Sequence, residues 1–67
     1  MRNGRKIRAS ISEQRDGYRV TVSISERNRT RELVTRIVAS RFEAETIAKA
    51  FALFHDVPWH KVEVSSG

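Results

Sequence analysis

The chain has 67 residues, with 13 Lys and Arg against 8 Asp and Glu for a formal net charge of +5, no cysteine and one proline. A chain of this length buries only about 60% of the surface it exposes when unfolded, which allows one small core and argues against an enclosed catalytic cavity. Without cysteine there is neither a disulfide framework nor a thiolate metal site, and no stretch approaches the roughly 18 apolar residues of a membrane-spanning helix, so the expected setting is cytoplasmic with no membrane partner.

Residues 1–5 read as a basic, flexible arm without the apolar run of a secretory signal. Period-two alternation then begins, with Ile7, Ala9 and Ile11 opposed to Arg8, Ser10 and Ser12. It resumes with Tyr18, Val20, Val22 and Ile24 against Arg19, Thr21, Ser23 and Ser25, the pattern of strands with one buried face. Asp16-Gly17 between them suits a two-residue hairpin turn. That turn sets cross-strand partners whose numbers sum to 33, so that Ile11 faces Val22 and Ala9 faces Ile24.

Residues 26–30 read as a charged loop, and Asn28-Arg29-Thr30, although it fits the glycosylation pattern, as a turn. Residues 31–39 are rich in β-branched side chains and read as a third strand. Leu33, Thr35, Ile37 and Ala39 are expected to face the core, which leaves Val34 and Val38 beside Arg36 on the other face. Ser40 followed by Glu43 forms a capping box. From there Ala44, Ile47, Ala48, Phe51 and Phe54 make an apolar helical stripe, with Glu45 and Lys49 paired at i,i+4. The helix must stop before Pro58. Residues 59–64 alternate again, with His60, Val62 and Val64 on one side, as a short last strand before a disordered tail at 65–67.

The sum is a β-β-β-α-β chain, an α+β domain over residues 6–64 in which one helix covers one face of an antiparallel sheet. Direction counting places the last strand parallel to the first, in the order 3-2-1-4. The other sheet face is left bare. It is expected to display Arg8, Arg19 and Arg36 among serines and threonines, with further cations at Arg5 and Lys6 in and next to the arm and at Arg27, Arg29 and Arg31 in and next to the loop.

Residues 1–41 hold 11 Lys and Arg against 4 acids, and residues 42–67 hold 2 against 4. Arginine outnumbers lysine ten to three, and its planar fork suits phosphates and guanine edges. This distribution points to nucleic acid, duplex DNA first, bound by the bare face with the arm and loop on the phosphates. Aromatic residues give little support to single-strand binding while Phe51 and Phe54 are assigned to the core.

Catalysis finds no footing. His55 and His60 have no evident third ligand or nucleophile beside them, Glu43, Glu45 and Asp16 are assigned to cap, helix pair and turn, and no glycine-rich loop exists. No enzyme, metal or cofactor is expected.

Three strands with Tyr18-Arg19-Val20 in the middle one, followed by Ser40-Arg41-Phe42-Glu43-Ala44-Glu45-Thr46-Ile47-Ala48, resemble the arm-type DNA-binding domains of phage and transposon integrases and the plant ethylene-response-factor domain. The likeness spans roughly residues 5 to 54. It implies that the sheet face away from the helix enters the major groove, with Arg8, Arg19 and Arg36 as readers. Departures are the missing strand Trp and Gly residues of the plant domain and the added last strand. Size and basicity fit a small phage or mobile-element product.

The rival expectation is a protein-interaction module, for instance an inhibitor docking on an acidic or nucleic-acid-binding host protein, or a homodimer. The same cations would serve, and Val34, Val38 and Trp59 would have to form one exposed apolar patch.

Overall fold

A computed structural model describes residues 4–66. The first three residues of the expected arm and Gly67 lie outside the described residues. Strands β1 (Lys6–Gln14), β2 (Gly17–Glu26) and β3 (Arg29–Val38) are followed by helix α1 (Arg41–Phe54), a 3-10 turn at Trp59–Lys61 and strand β4 (Glu63–Ser66). The sheet order is β3-β2-β1-β4, antiparallel except for the parallel β1–β4 pair, so the α+β architecture and the strand order both match expectation, with a mixed sheet.

The period-two reading of β1 and β2 holds at the level of faces. Ile7, Ala9, Ile11, Val20, Val22 and Ile24 form the buried sheet side of the core. The register differs: partners sum to 31, with Ile11 opposite Val20 and Gln14 opposite Gly17, so the turn is Arg15-Asp16. The slip moves each partner by two residues, which keeps every side chain on its face. Gly17 is held back from the turn by another demand. Its φ is +145°, and a Cβ there would lie 2.3 Å from the carbonyl oxygen of Val38.

The second turn is likewise only Arg27-Asn28, with Arg27 at φ +60° and Arg29 and Thr30 already in β3. β3 departs most from expectation. A bulge between the Val22 and Ser23 partners leaves Leu33 as an extra residue, since Val22 pairs with Val34 and Ser23 with Glu32. Leu33 and Val34 therefore both pack against the core, as does Val38, which resolves the adjacent apolar pair that simple alternation cannot place. Ile37, expected in the core, lies opposite Arg19 on the open face and is 56% exposed.

Helix α1 starts on the expected box. Glu43 N–H donates to Ser40 Oγ at 3.1 Å, and Ala39 N–H donates to Glu43 Oε1 at 3.0 Å. It ends in a Schellman motif: Val57 N–H donates to Ala52 O and Asp56 N–H to Leu53 O, with Asp56 in the left-handed region at φ +60°. The buried helix residues are Ala44, Ala48 and Ala52, three methyl groups one turn apart that let the helix lie close on the sheet. Ile47 and Phe51 pack at the flank of this stripe, whereas Phe54, expected to continue it, is 79% exposed.

Two ties fix the helix azimuth. Arg41 donates to Ser66 Oγ on β4, and Lys49 Nζ sits 5.4 Å above the Trp59 ring. Glu45 consequently pairs with Arg41 at 3.5 Å, and not with Lys49 as expected. With that flank toward β4, the flank carrying Ile47, Phe51 and Phe54 hangs over β3. The expected last strand is shorter and later: residues 59–61 are the 3-10 turn, Val62 is buried, and Ser65 and Ser66 are strand residues paired with Ser10 and Ile11 and not a tail.

Candidate nucleic-acid interface

The open face carries Lys6, Arg8 and Arg19, but also Glu32 on β3 and Glu63 on β4, so cations and carboxylates nearly balance there. Arg8 donates through Nε and Nη2 to Glu63 Oε1 at 3.2 and 3.1 Å, an exposed pair of small net energy. The hydroxyls of this face bond one another: Thr21 with Thr35 at 3.3 Å, Ser25 with Thr30 at 2.9 Å, and Thr35 to Glu32 at 2.8 Å. This is the chemistry of a solvated sheet face in which many polar side chains are partnered to one another.

Arg36 is not part of it. Its ladder partner is Val20, a fully buried residue, so Arg36 projects on the helix side at the β3 edge. Arg31, opposite Ile24, and Arg29, opposite Glu26, share that side. The three expected readers are thus divided, with Arg8 and Arg19 on one face and Arg36 on the other. A sheet-face docking of the arm-type kind would engage only two of them.

The helix is shorter than the sheet, because fourteen residues at about 1.5 Å rise cover less than ten strand residues at about 3.3 Å. It runs back along β3 and ends at His55, whose carbonyl accepts from Arg5 Nη1 at 3.1 Å. Arg5 also meets Glu26 at 3.4 Å, so this arm residue serves as a cationic clamp on the helix C-terminus. Beyond that clamp the helix side of the sheet is uncovered. A hollow of about 1290 Å³ opens there, floored by Ile24 and rimmed by Glu26, Arg27, Arg29 and Arg31.

The positive charge collects at this end. Arg27 at the tip, Arg29 and Arg31 over the hollow, and Arg36 further along the edge are all exposed, and among the described residues none of them is in an ion pair. The candidate interface is therefore the overhang of the β2–β3 hairpin on the helix side; unbroken alternation along the third strand puts Arg29 and Arg31 there too and misplaces Arg36, which it sends to the open face. Lys6 lies on the opposite face.

The apolar patch considered for a protein partner does not form. Val34 and Val38 are half-buried on β3, while Trp59 is half-buried beyond the other flank of the helix, under Lys49. The exposed large apolar residues are instead Ile37, Phe42, Leu53, Phe54 and Val64. Among the described residues no group of three or more His, Asp or Glu could hold a metal ion, and no helix is long and apolar enough to cross a membrane. Compared with known proteins, the chain matches no family model, no curated relative and no solved structure.

Proposed function

We propose that the protein binds nucleic acid through the helix-side overhang of the β2–β3 hairpin. The observation that carries this reading is the collection of Arg27, Arg29, Arg31 and Arg36 at one end and edge, none of them ion-paired among the described residues, beside a hollow open to solvent. Unpaired guanidiniums on a concave surface hold phosphates by charge-assisted, forked hydrogen bonds and gain from counterion release. Arg5 is already engaged by Glu26 and the helix end, and supports the site by fixing the floor beside it.

Labelled oligonucleotides titrated at several salt concentrations test the reading. Binding should weaken with log[salt], and the variant with Arg27, Arg29 and Arg31 all changed to Ala should flatten the slope by about 2 to 3, at roughly 0.7 to 0.9 for each phosphate no longer neutralised. Changing Arg8 and Arg19 to Ala should matter much less. Absence of binding at about 50 mM salt, where such interactions are strong, or equal weakening from the two sets of changes, would refute it.

A protein-interaction role is the second reading, favoured by Phe42, Leu53 and Phe54, each more than three-quarters exposed on the helix. Loss of an interaction on Phe42→Ala with the arginines intact would support it.

A further inference from the structure

Helix α1 turns its smallest apolar residues to the sheet and three of its largest outward. Its buried stripe is Ala44, Ala48 and Ala52, whereas Phe42, Leu53 and Phe54 are 76%, 78% and 79% exposed. Phe42, Thr46, Lys49 and Leu53 follow one another at helical spacing along the outer side, and Ala50 and Phe54 widen that stripe toward β3.

The polar side chains of the helix are all engaged elsewhere. Glu43 accepts from Ala39 N–H in the cap, and Thr46 Oγ1 donates to Phe42 O at 2.9 Å within the helix. Arg41 is held by Glu45 and Ser66, and the Lys49 ammonium lies over the Trp59 ring on the β4 flank. What remains outside is an apolar surface with a ring at the first turn, Leu53 and Phe54 at the last, and the short Thr46 and Ala50 between them.

That distribution is complementary to itself. When a second copy of the helix lies antiparallel across it, Phe42 meets Leu53 of the partner subunit, twofold symmetry repeats the contact, and the short residues sit where the backbones come nearest. Charge favours the same arrangement. Residues 42–67 hold 2 Lys and Arg against 4 acids, so two copies of net charge +5 meet through their least basic part. Arg5 ties the helix end to Glu26 at the hairpin end of the sheet, so antiparallel helices put the two arginine-rich hairpins at opposite ends of the pair. A membrane surface fits less well, because an interfacial helix is flanked by free Lys and Arg, and here the flanks are Glu43, Glu45 and two engaged cations.

Phe42, Leu53 and Phe54 together expose about 400 Å² of apolar surface. At the roughly 65% apolar fraction of homodimer interfaces, this corresponds to about 600 Å² per copy and about 1,200 Å² in all, the lower end of specific interfaces.

We infer that the protein self-associates as a twofold dimer through the outer side of α1, with the helices antiparallel and Phe42 of each copy packed on Leu53 of the other. The inference does not rest on nucleic-acid binding, which uses the hairpin, and its test contains no nucleic acid.

Sedimentation equilibrium from about 1 μM to about 1 mM should show the mass rise from 7.7 kDa toward twice that value, with a dissociation constant in the micromolar range of a small interface. Phe42→Glu and Leu53→Lys should each weaken association at least about 100-fold, because symmetry buries the unpaired charge twice. Mixed in equal amounts, the two variants should associate again: one contact is then a carboxylate against an ammonium, and the other is the original Phe42 against Leu53. Changing Arg27, Arg29 and Arg31 to Ala should not weaken the dimer. Both helix positions are exposed, so circular dichroism should show the variants folded, and Phe42→Ala, with an expected loss of about 10-fold, gives the same reading without an added charge.

A chain that stays monomeric to about 1 mM, whatever else the helix then binds, would overturn the inference. So would a dimer that neither charged substitution weakens, or two weakened variants that do not pair on mixing.

Discussion

Gly17→Ala tests the close approach that seats β3 against the start of β2. Gly17 has φ +145°, a region that L residues rarely enter. A Cβ would meet Val38 O at 2.3 Å and Val38 C at 3.3 Å. Both are backbone atoms, so no side chain can swing aside, and relief requires β3 to move off β2 just before it passes into the helix. Gly4 supplies the comparison: its φ is +67°, and nothing lies within 4 Å of a Cβ built there. Gly4→Ala should therefore cost only the backbone term, about 1 kcal/mol. Gly17→Ala adds an overpacking term of about 1–3 kcal/mol, for a total of about 2–4 kcal/mol. Against a total stability of about 3–10 kcal/mol for a chain of this length, that is a large fraction. Thermal unfolding followed by circular dichroism should show Gly17→Ala melting at least about 10 °C lower, and Gly4→Ala about 5 °C lower, at 4–8 °C per kcal/mol. Melting points for the two variants within about 3 °C of each other would refute the close approach as the reason for this glycine.

The helix end and the helix underside give two further tests. Asp56 holds the left-handed position of the Schellman motif and places a carboxylate at the negative end of the helix, so Asp56→Gly should stabilise the fold by about 0.5–1 kcal/mol in urea unfolding; a decrease in stability would contradict this. Ala48 is fully buried between helix and sheet, so Ala48→Leu should cost about 1–3 kcal/mol by prising the layers apart, whereas Ala50→Leu on the exposed side should be nearly neutral. Equal effects of the two leucines would mean that the alanine stripe does not set the spacing.

Much of the fold is legible in the sequence because its signals are local. The Ser40 and Glu43 side chains cap a helix wherever the chain places them, Pro58 limits its far end, and strict alternation in β1 and β2 sorts core from solvent even when the register is two residues off. What escapes depends on residues distant in sequence. Asp16-Gly17 looks like a turn, but the glycine is needed where Val38 approaches from another strand. Phe54 continues an apolar helical period, yet in the last helical position it is 79% exposed and does not pack against the core that Ile47 and Phe51 rest on.

Simple alternation misplaces one member of the site, Arg36, and the reason is the bulge at Leu33. In an unbroken strand, Arg29 and Arg31 at odd positions and Arg36 at an even one must point to opposite faces. An alternating reading therefore splits the basic residues and sends Arg36 to the open face with Arg8 and Arg19. One extra residue between them reverses the phase, so that Arg29, Arg31 and Arg36 all project on the helix side while Leu33 and Val34 both reach the core. The local trace of this is the apolar pair at 33 and 34, which has no place in period two and marks the inserted residue. The same bulge leaves Glu32 and Ile37 on the open face, one adding a carboxylate and the other an aliphatic group to a surface that Arg8, paired with Glu63, does little to make positive. A packing irregularity in an edge strand thus brings Arg36 to the side of the sheet that carries Arg29 and Arg31, because it moves no charge along the sequence but changes which charges are neighbours.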